Sequence, residues 1–230
     1  PAHSVDQHGH RLCRRTHSRD GDRQATTHNR KRIDVSAIPV YILAGGRSSR
    51  FGSDKARAKL HGLPMIQRLA ILLASVAESI TVVAERDRKY EDLGLATIAD
   101  TVPGLGPLGG LITALEHRRA QGAGWLLLCA CDWAEISTTW VDELVKATDD
   151  KVDAVAFRDD RWQPLFALYH TRLLPEAARQ LRCPSRRMSD LLDSVASRAL
   201  PPPPDWHMTW QINTQLDRSR YIEWKKCARR

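Results

Sequence analysis

With 230 residues, 42% of them hydrophobic, the chain can bury a core without disulfides or structural metals, and no run approaches the ~20 apolar residues of a membrane helix. Its net charge of +8 is unevenly placed: residues 1–37 hold eight Arg/Lys and four Asp, supply +4 of it, and leave the remainder only mildly basic. That removes the main argument for a nucleic-acid partner, and five cysteines at irregular spacing remove a disulfide framework.

Residues 1–37 are polar, carry five of the nine histidines and have too few apolar side chains to offset the entropy of ordering. The expectation is a disordered basic tail, in which His8 and His10 are solvated rather than metal-bound. The N-terminus offers no apolar signal region, and Asp6, Asp20, Asp22 and Asp34 are foreign to an organellar transit peptide, so a cytoplasmic protein without membrane association is expected. From Ile38 the pattern changes. Pro39–Leu43 reads as a short apolar strand ending in Ala-Gly-Gly, and Pro64–Val76 has the apolar spacing of a helix. Ser79–Ala84 and Leu95–Ala99 read as strands, Gly109–His117 as a helix, and Trp125–Ala130 as a fully apolar strand. At the end of that run Cys129 and Cys131 alternate, which makes at least one a small buried hydrophobe. Ser137–Ala147 reads as a helix with Ser137 as N-cap; Val152–Phe157 and Pro164–Tyr169 read as strands. Ser189–Ala196 reads as a short helix stopped by the stiff run Pro201–Pro204. Strands alternating with helices imply an α/β domain with a mainly parallel sheet and helices on both faces.

In such sheets ligands lie at the carboxyl ends of strands, which selects three segments. The first is Leu43–Lys55, LAGGRSSRFGSDK, after the first strand. Gly45 and Gly46 let the backbone approach a ligand, and Arg47, Arg50 and Lys55 bring cations, which together suit a triphosphate although the spacing is not that of a P-loop. The second is Asp100, and the third is Asp132, each just beyond an apolar strand. Two carboxylates beside a basic glycine loop suit Mg²⁺ with phosphates; helix capping or turn chemistry is the alternative for each. Gly104–Gly109 fits G-x-G-x-x-G, but it lies in the wrong βα unit for a dinucleotide site, and Pro107 removes a backbone donor. Trp162, Trp206 and Trp210 are candidates to stack on a flat ligand, with core packing the simpler role.

LAGG-x-x-x-R-x-G-x-x-DK, Asp100 before a Pro-Gly-x-Gly-Pro-Leu-x-Gly loop, and Cys-Asp after an apolar strand together resemble the molybdenum cofactor guanylyltransferases. Arg161-Trp-Gln-Pro-Leu-Phe-Ala-Leu-Tyr, Ser185-Arg-Arg-Met-Ser-Asp and Ile212-Asn-Thr extend the resemblance, with Gln211 where the family usually has Asn. The residue after Asp132 is Trp133, and Ala84-Glu85 stand where the family often places an Asn turn. The resemblance implies a three-layer Rossmann-like nucleotidyltransferase fold over residues 38–230, with a nucleotide-binding half at 38–135 and an acceptor-binding half at 136–217. It implies transfer of GMP from GTP to molybdopterin bearing molybdenum, with Mg²⁺, in the company of the proteins that make and deliver the cofactor. Leu43, Ala44 and Gly45 are implied to contact guanine and phosphate through backbone, Lys55 and Arg50 to support phosphates, Asp100 to bind nucleotide and Asp132 to ligate Mg²⁺. On the acceptor side the candidates are Arg161, Arg186, Arg187 and Asn213; an arginine fork suits a terminal phosphate. The alternatives are a same-fold enzyme using CTP or another phosphorylated acceptor, and a non-catalytic GTP-binding adaptor.

Overall fold

The computed structural model describes residues 38–45, 54–206 and 210–227. The polar segment 1–37 and, within the glycine loop, Gly46, Arg47 and Arg50 lie outside the described residues.

The chain enters on β1 (Val40–Leu43), four buried residues in succession. A strand apolar at every position has both faces covered, and here they are. Val40 and Ile42 point into one core, Tyr41 and Leu43 into the other. A hairpin of β2 (Lys59–Leu60) and β3 (Leu63–Pro64) follows, turned by His61 and Gly62 with φ of 49° and 89°. Then come α1 (Met65–Leu73), β4 (Ile80–Ala84), β5 (Ala96–Ala99), α2 (Pro107–Gln121), β6 (Trp125–Ala130), β7 (Trp133–Glu135) and α3 (Thr138–Lys146). The second half adds β8 (Ala154–Arg158), β9 (Trp162–His170), α4 (Leu174–Gln180), α5 (Met188–Ser194), β10 (Ser197–Leu200), β11 (Trp210–Gln211) and α6 (Gln215–Cys227).

Seven strands form one sheet in the order β10-β8-β9-β6-β1-β4-β5. All its pairings are parallel except the two made by β9, which runs against both β6 and β8. One face packs on α1 and α3, through Ile66, Leu69, Trp140 and Leu144; the other packs on α2, α4 and α5, through Leu111, Leu115, Ala177 and Leu191. The expected mainly parallel sheet in three layers is therefore present. A third, smaller core of Leu60, Met65, Ala134, Ile212 and Tyr221 lies under α6. Its polar rim gathers Arg68, Tyr221 and Lys225 on the Glu135 carboxylate.

Several expected elements shift. The helix expected over Pro64–Val76 spans Met65–Leu73, because Leu63 and Pro64 pair as a strand. The helix expected over Gly109–His117 runs on to Gln121, since its polar last turn lies in water and needs no apolar stripe. Ser137 takes the N-cap position of α3, but its hydroxyl bonds Thr139 Oγ1 at 2.7 Å rather than a backbone N–H. The helix expected to reach Ala196 stops at Ser194; Ser197–Leu200 is instead an edge strand, and the prolines end that strand, not the helix. Cys129 is fully buried, as its alternation suggested. Among the described residues no helix is long and apolar enough to cross a membrane.

Candidate functional site

The register places the carboxyl ends of neighbouring strands level: Leu43 lies opposite both Val83 and Ala130, and Ala84 opposite Ala99. The segments leaving β1, β5 and β6 at this edge carry the polar residues singled out by the sequence: Lys55, Asp100 and Asp132. Beyond β1 the Ala44 N–H is given to Val83 O at 2.9 Å, and the Leu43 carbonyl accepts Cys131 N–H at 3.1 Å. The sheet thus consumes two of the backbone groups expected to meet a ligand, and Gly45 is the exposed residue of the three.

Lys55 begins a 3-10 turn, Lys55–Arg57, whose N-cap is Asp54. Its ammonium donates to Asp132 Oδ2 at 3.2 Å and to Asn213 Oδ1 at 3.1 Å. The Lys55 and Asp132 side chains are only 16% and 18% exposed, so their attraction is less screened than on an open surface. The other carboxylate oxygen, Asp132 Oδ1, is buried and has no hydrogen-bond partner among the described residues. A buried carboxylate oxygen without a partner is costly unless a cation or donor completes it. The Asp132 carbonyl accepts Ile212 N–H at 2.9 Å, which brings the segment bearing Asn213 to the site. Asp217 holds that segment in turn, accepting the N–H groups of Asn213 and Thr214 at 3.0 and 2.8 Å. Asn213, expected on the acceptor side, therefore touches the lysine expected on the nucleotide side.

Asp100 stands elsewhere. Its Oδ1 accepts Val102 N–H at 2.9 Å and lies 3.0 Å from Thr113 Oγ1, which itself accepts Thr101 N–H at 3.0 Å. Thr113, buried on α2, has no motif to mark it. β5 and β6 are three strand spacings apart, roughly 14 Å. The two carboxylates thus leave strands at different places along the edge, and Asp100 ties the loop after β5 to α2. The close approach of that loop rests on glycine, because a Cβ at Gly109 would lie 2.5 Å from Val102 O. Gly110 plays the same part against the tip of Leu43, 2.8 Å from where its Cβ would be.

Beyond β6 the acceptor-side candidates are dispersed. Arg161 is exposed on the short turn between β8 and β9, with its N–H on Asp159 Oδ1 at 2.8 Å. Arg186 is exposed and donates through Nε to Leu181 O at 3.2 Å; Arg187 occupies the N-cap position of α5. No hydrogen bond joins these arginines to Lys55, Asp132 or Asn213 among the described residues. The three tryptophans are engaged in packing. Trp162 donates to Asp193 at 2.7 Å beneath Arg158, Trp206 lies among Trp133, Trp140 and Phe157, and Trp210 lies against Tyr221 and Trp224. Trp133, next to Asp132, is buried with its indole N–H on Leu165 O at 3.1 Å. Burial, with Asp132 adding to it, pushes the Cys131 thiol up to about 12, so it stays protonated and unreactive at neutral pH.

A lysine, a carboxylate and an exposed glycine at the carboxyl edge of a three-layer sheet mark a nucleotide-handling α/β protein. Residues 40–199 match the sequence profile described as the MobA-like NTP transferase domain. A probable molybdenum cofactor guanylyltransferase of Opitutus terrae is 31% identical over 195 residues, covering 81% of this chain and 96% of that protein. The molybdenum cofactor guanylyltransferase of Serratia proteamaculans is 30% identical, covering 71% of this chain and 83% of that protein. Among solved structures, molybdopterin-guanine dinucleotide biosynthesis protein A of Archaeoglobus fulgidus superposes with a TM-score of 0.68 at 22% identity, over 84% of this chain and 100% of that one. The chain belongs to the MobA-like NTP transferase family.

Proposed function

We propose that this protein transfers GMP from GTP to molybdopterin bearing molybdenum, forming the guanine dinucleotide cofactor and releasing pyrophosphate. The observation that carries the reading is the Lys55–Asp132 pair at the carboxyl edge, with Asp132 Oδ1 buried and without a partner among the described residues, in a chain whose relatives bear that activity in their names. Residues 38–135 form the nucleotide side and 136–217 the acceptor side, with Asn213 reaching back across. Gly45, with Gly46 beyond it, receives the nucleotide through backbone, and Arg50 joins Lys55 on the phosphates. Asp100 supports the nucleotide by fixing the loop after β5. Arg161, Arg186 and Arg187 receive the acceptor's terminal phosphate.

In the reaction an oxygen of that phosphate attacks the α-phosphorus of GTP. A new P–O bond forms, the bond from the α-phosphorus to the bridging oxygen breaks, and pyrophosphate leaves with the electron pair. Both reactants are anionic, so the barrier is largely electrostatic, and fixed cations aimed at the phosphates lower it. Lys55 contributes one such charge from a half-buried position. Asp132 fits a Mg²⁺ ligand through Oδ1, where the ion would supply further charge neutralisation; Mg²⁺ commonly takes one or two carboxylates and keeps its waters. The test is pyrophosphate release on mixing the protein with each nucleoside triphosphate, Mg²⁺ and molybdenum-loaded molybdopterin. Release with GTP that requires the acceptor is expected; binding of GTP without release would make the protein an adaptor.

A further inference from the structure

One cluster beside the site is not used by the reaction as described. Asp54 precedes Lys55, and its carboxylate would compete for the neighbouring ammonium if it were left alone. It is not. Tyr90 OH lies 3.2 and 3.1 Å from its two oxygens, and Lys89 Nζ lies 2.9 Å from Oδ2. Asp54 Oδ1 also caps Ala56 N–H at 3.1 Å, which tightens the turn that carries Lys55. Tyr90 is fully buried in the apolar core under β1 and β4, where phenylalanine would fill the same space without an oxygen to satisfy. Lys89 and Arg57 lie over its ring, 4.9 and 5.2 Å from the centroid. Arg57 clamps Asp92 at 2.7 and 2.8 Å and donates to Lys89 O at 2.7 Å, so residues 54–57 and 89–92 are stitched together. Burial works against the Lys89 charge, but its hydrogen bonds to Asp54 and Glu85 outweigh it and keep the ammonium charged.

We infer that Tyr90 and Lys89 are positioning residues for Lys55: they fix and neutralise Asp54, so that the Lys55 ammonium is directed across the strand edge to the nucleotide phosphates. The inference rests on the phosphate role proposed for Lys55. Two consequences distinguish it from simple stapling. Loss of the Tyr90 hydroxyl or of the Lys89 charge matters only while Lys55 is present, and the loss appears in nucleotide binding rather than in stability alone.

The experiment is a double-mutant cycle read by calorimetric binding of a non-hydrolysable GTP analogue with Mg²⁺. Tyr90→Phe and Lys89→Met are each made in the wild-type and Lys55→Ala proteins, with thermal melts alongside. Each is expected to weaken binding about five- to tenfold with Lys55 present and less than about twofold without it. Equal factors in the two backgrounds, or no weakening in the wild-type background, would overturn the inference while leaving Lys55 in its role. Should Lys55→Ala bind the analogue as tightly as the wild type, the role of Lys55 falls and this inference with it. Tyr90→Phe removes a buried hydrogen bond; if its melt shows an unfolded protein, Lys89→Met, which leaves the Tyr90 hydroxyl in place, decides by the same comparison.

Discussion

At the scale of single residues, the hydrogen bonds of Asp100 and Asp132 are distributed differently. Asp100 spends Oδ1 on Val102 and Thr113, whereas Asp132 Oδ1 is buried with no partner among the described residues. Asp132→Asn preserves shape and the hydrogen bond to Lys55 but removes the charge. The expected outcome is a folded protein with GTP turnover down by a factor of about 100–1000, or about 3–4 kcal/mol of transition-state stabilisation. Steady-state pyrophosphate release at saturating Mg²⁺, beside a circular dichroism melt, measures both; turnover within a few-fold of the wild type would refute the metal assignment. Each signal at this scale was visible as a residue type after an apolar strand. Which oxygen was satisfied was not, because Thr113 and Asn213 lie far along the chain from the carboxylate and the lysine they meet.

At the scale of elements, the approach of α2 to the loop after β5 is set by two glycines with different neighbours. Gly109→Ala would bring a Cβ within 2.5 Å of the Val102 carbonyl, a backbone atom that can yield only by moving the loop Asp100 holds. Gly110→Ala meets the flexible tip of Leu43. Both gain roughly 1 kcal/mol of helix propensity, but overpacking against backbone costs about 1–3 kcal/mol. Gly109→Ala is therefore expected to melt below the wild type and to bind GTP more weakly, with Gly110→Ala near wild type or above it. The reverse order of melting temperatures would show that the loop, not the glycine, gives way. The docking of α6 makes a separate prediction. Burial acts against the Glu135 carboxylate, yet Lys225, Tyr221 and Arg68 together hold its pKa below the ordinary value of 4.5. A lowered folded-state pKa contributes stability that is complete above the unfolded value and disappears as pH falls through the folded one. Urea unfolding of wild type and Glu135→Gln should therefore differ at pH 6 and converge as pH drops below about 4.5. A constant gap down to pH 3 would assign the loss to packing instead.

At the scale of the whole molecule, the sheet order β10-β8-β9-β6-β1-β4-β5 puts the strands of the two sequence halves on opposite sides of the β6–β9 junction. On the proposed reading, nucleotide and acceptor meet across this line, with Lys55 and Asp132 at its nucleotide margin. A nucleotide chosen by the whole fold should stabilise the whole fold, since a ligand that binds only the native state raises the melting temperature with its affinity. GTP with Mg²⁺ is expected to raise it more than CTP or ATP at equal concentration in a thermal shift assay. A larger shift with CTP would move the proposed donor from GTP to CTP within the same family.

The sequence by itself determined the layers and the chemical inventory. Continuous apolar runs such as Trp125–Ala130 mark strands covered on both faces, and alternation with helices fixes a three-layer sheet. Lys55, Asp100 and Asp132 follow from the rule that ligands lie beyond strand ends. The antiparallel course of β9 was also within reach, because three residues between Arg158 and Trp162 cannot make a parallel crossover. Strand β10 and helix α6 were not: Ser197–Leu200 is too short and polar for a periodic signal, and α6 buries little beyond Tyr221. Only the tertiary structure decided that Asp100 stands three strands from Asp132, and that Asn213 closes on Lys55 across 158 positions of chain. The physical reason is that local periodicity fixes which face of an element is buried, whereas strand order and long-range polar contacts depend on how complete elements pack together, which no local stretch of sequence encodes.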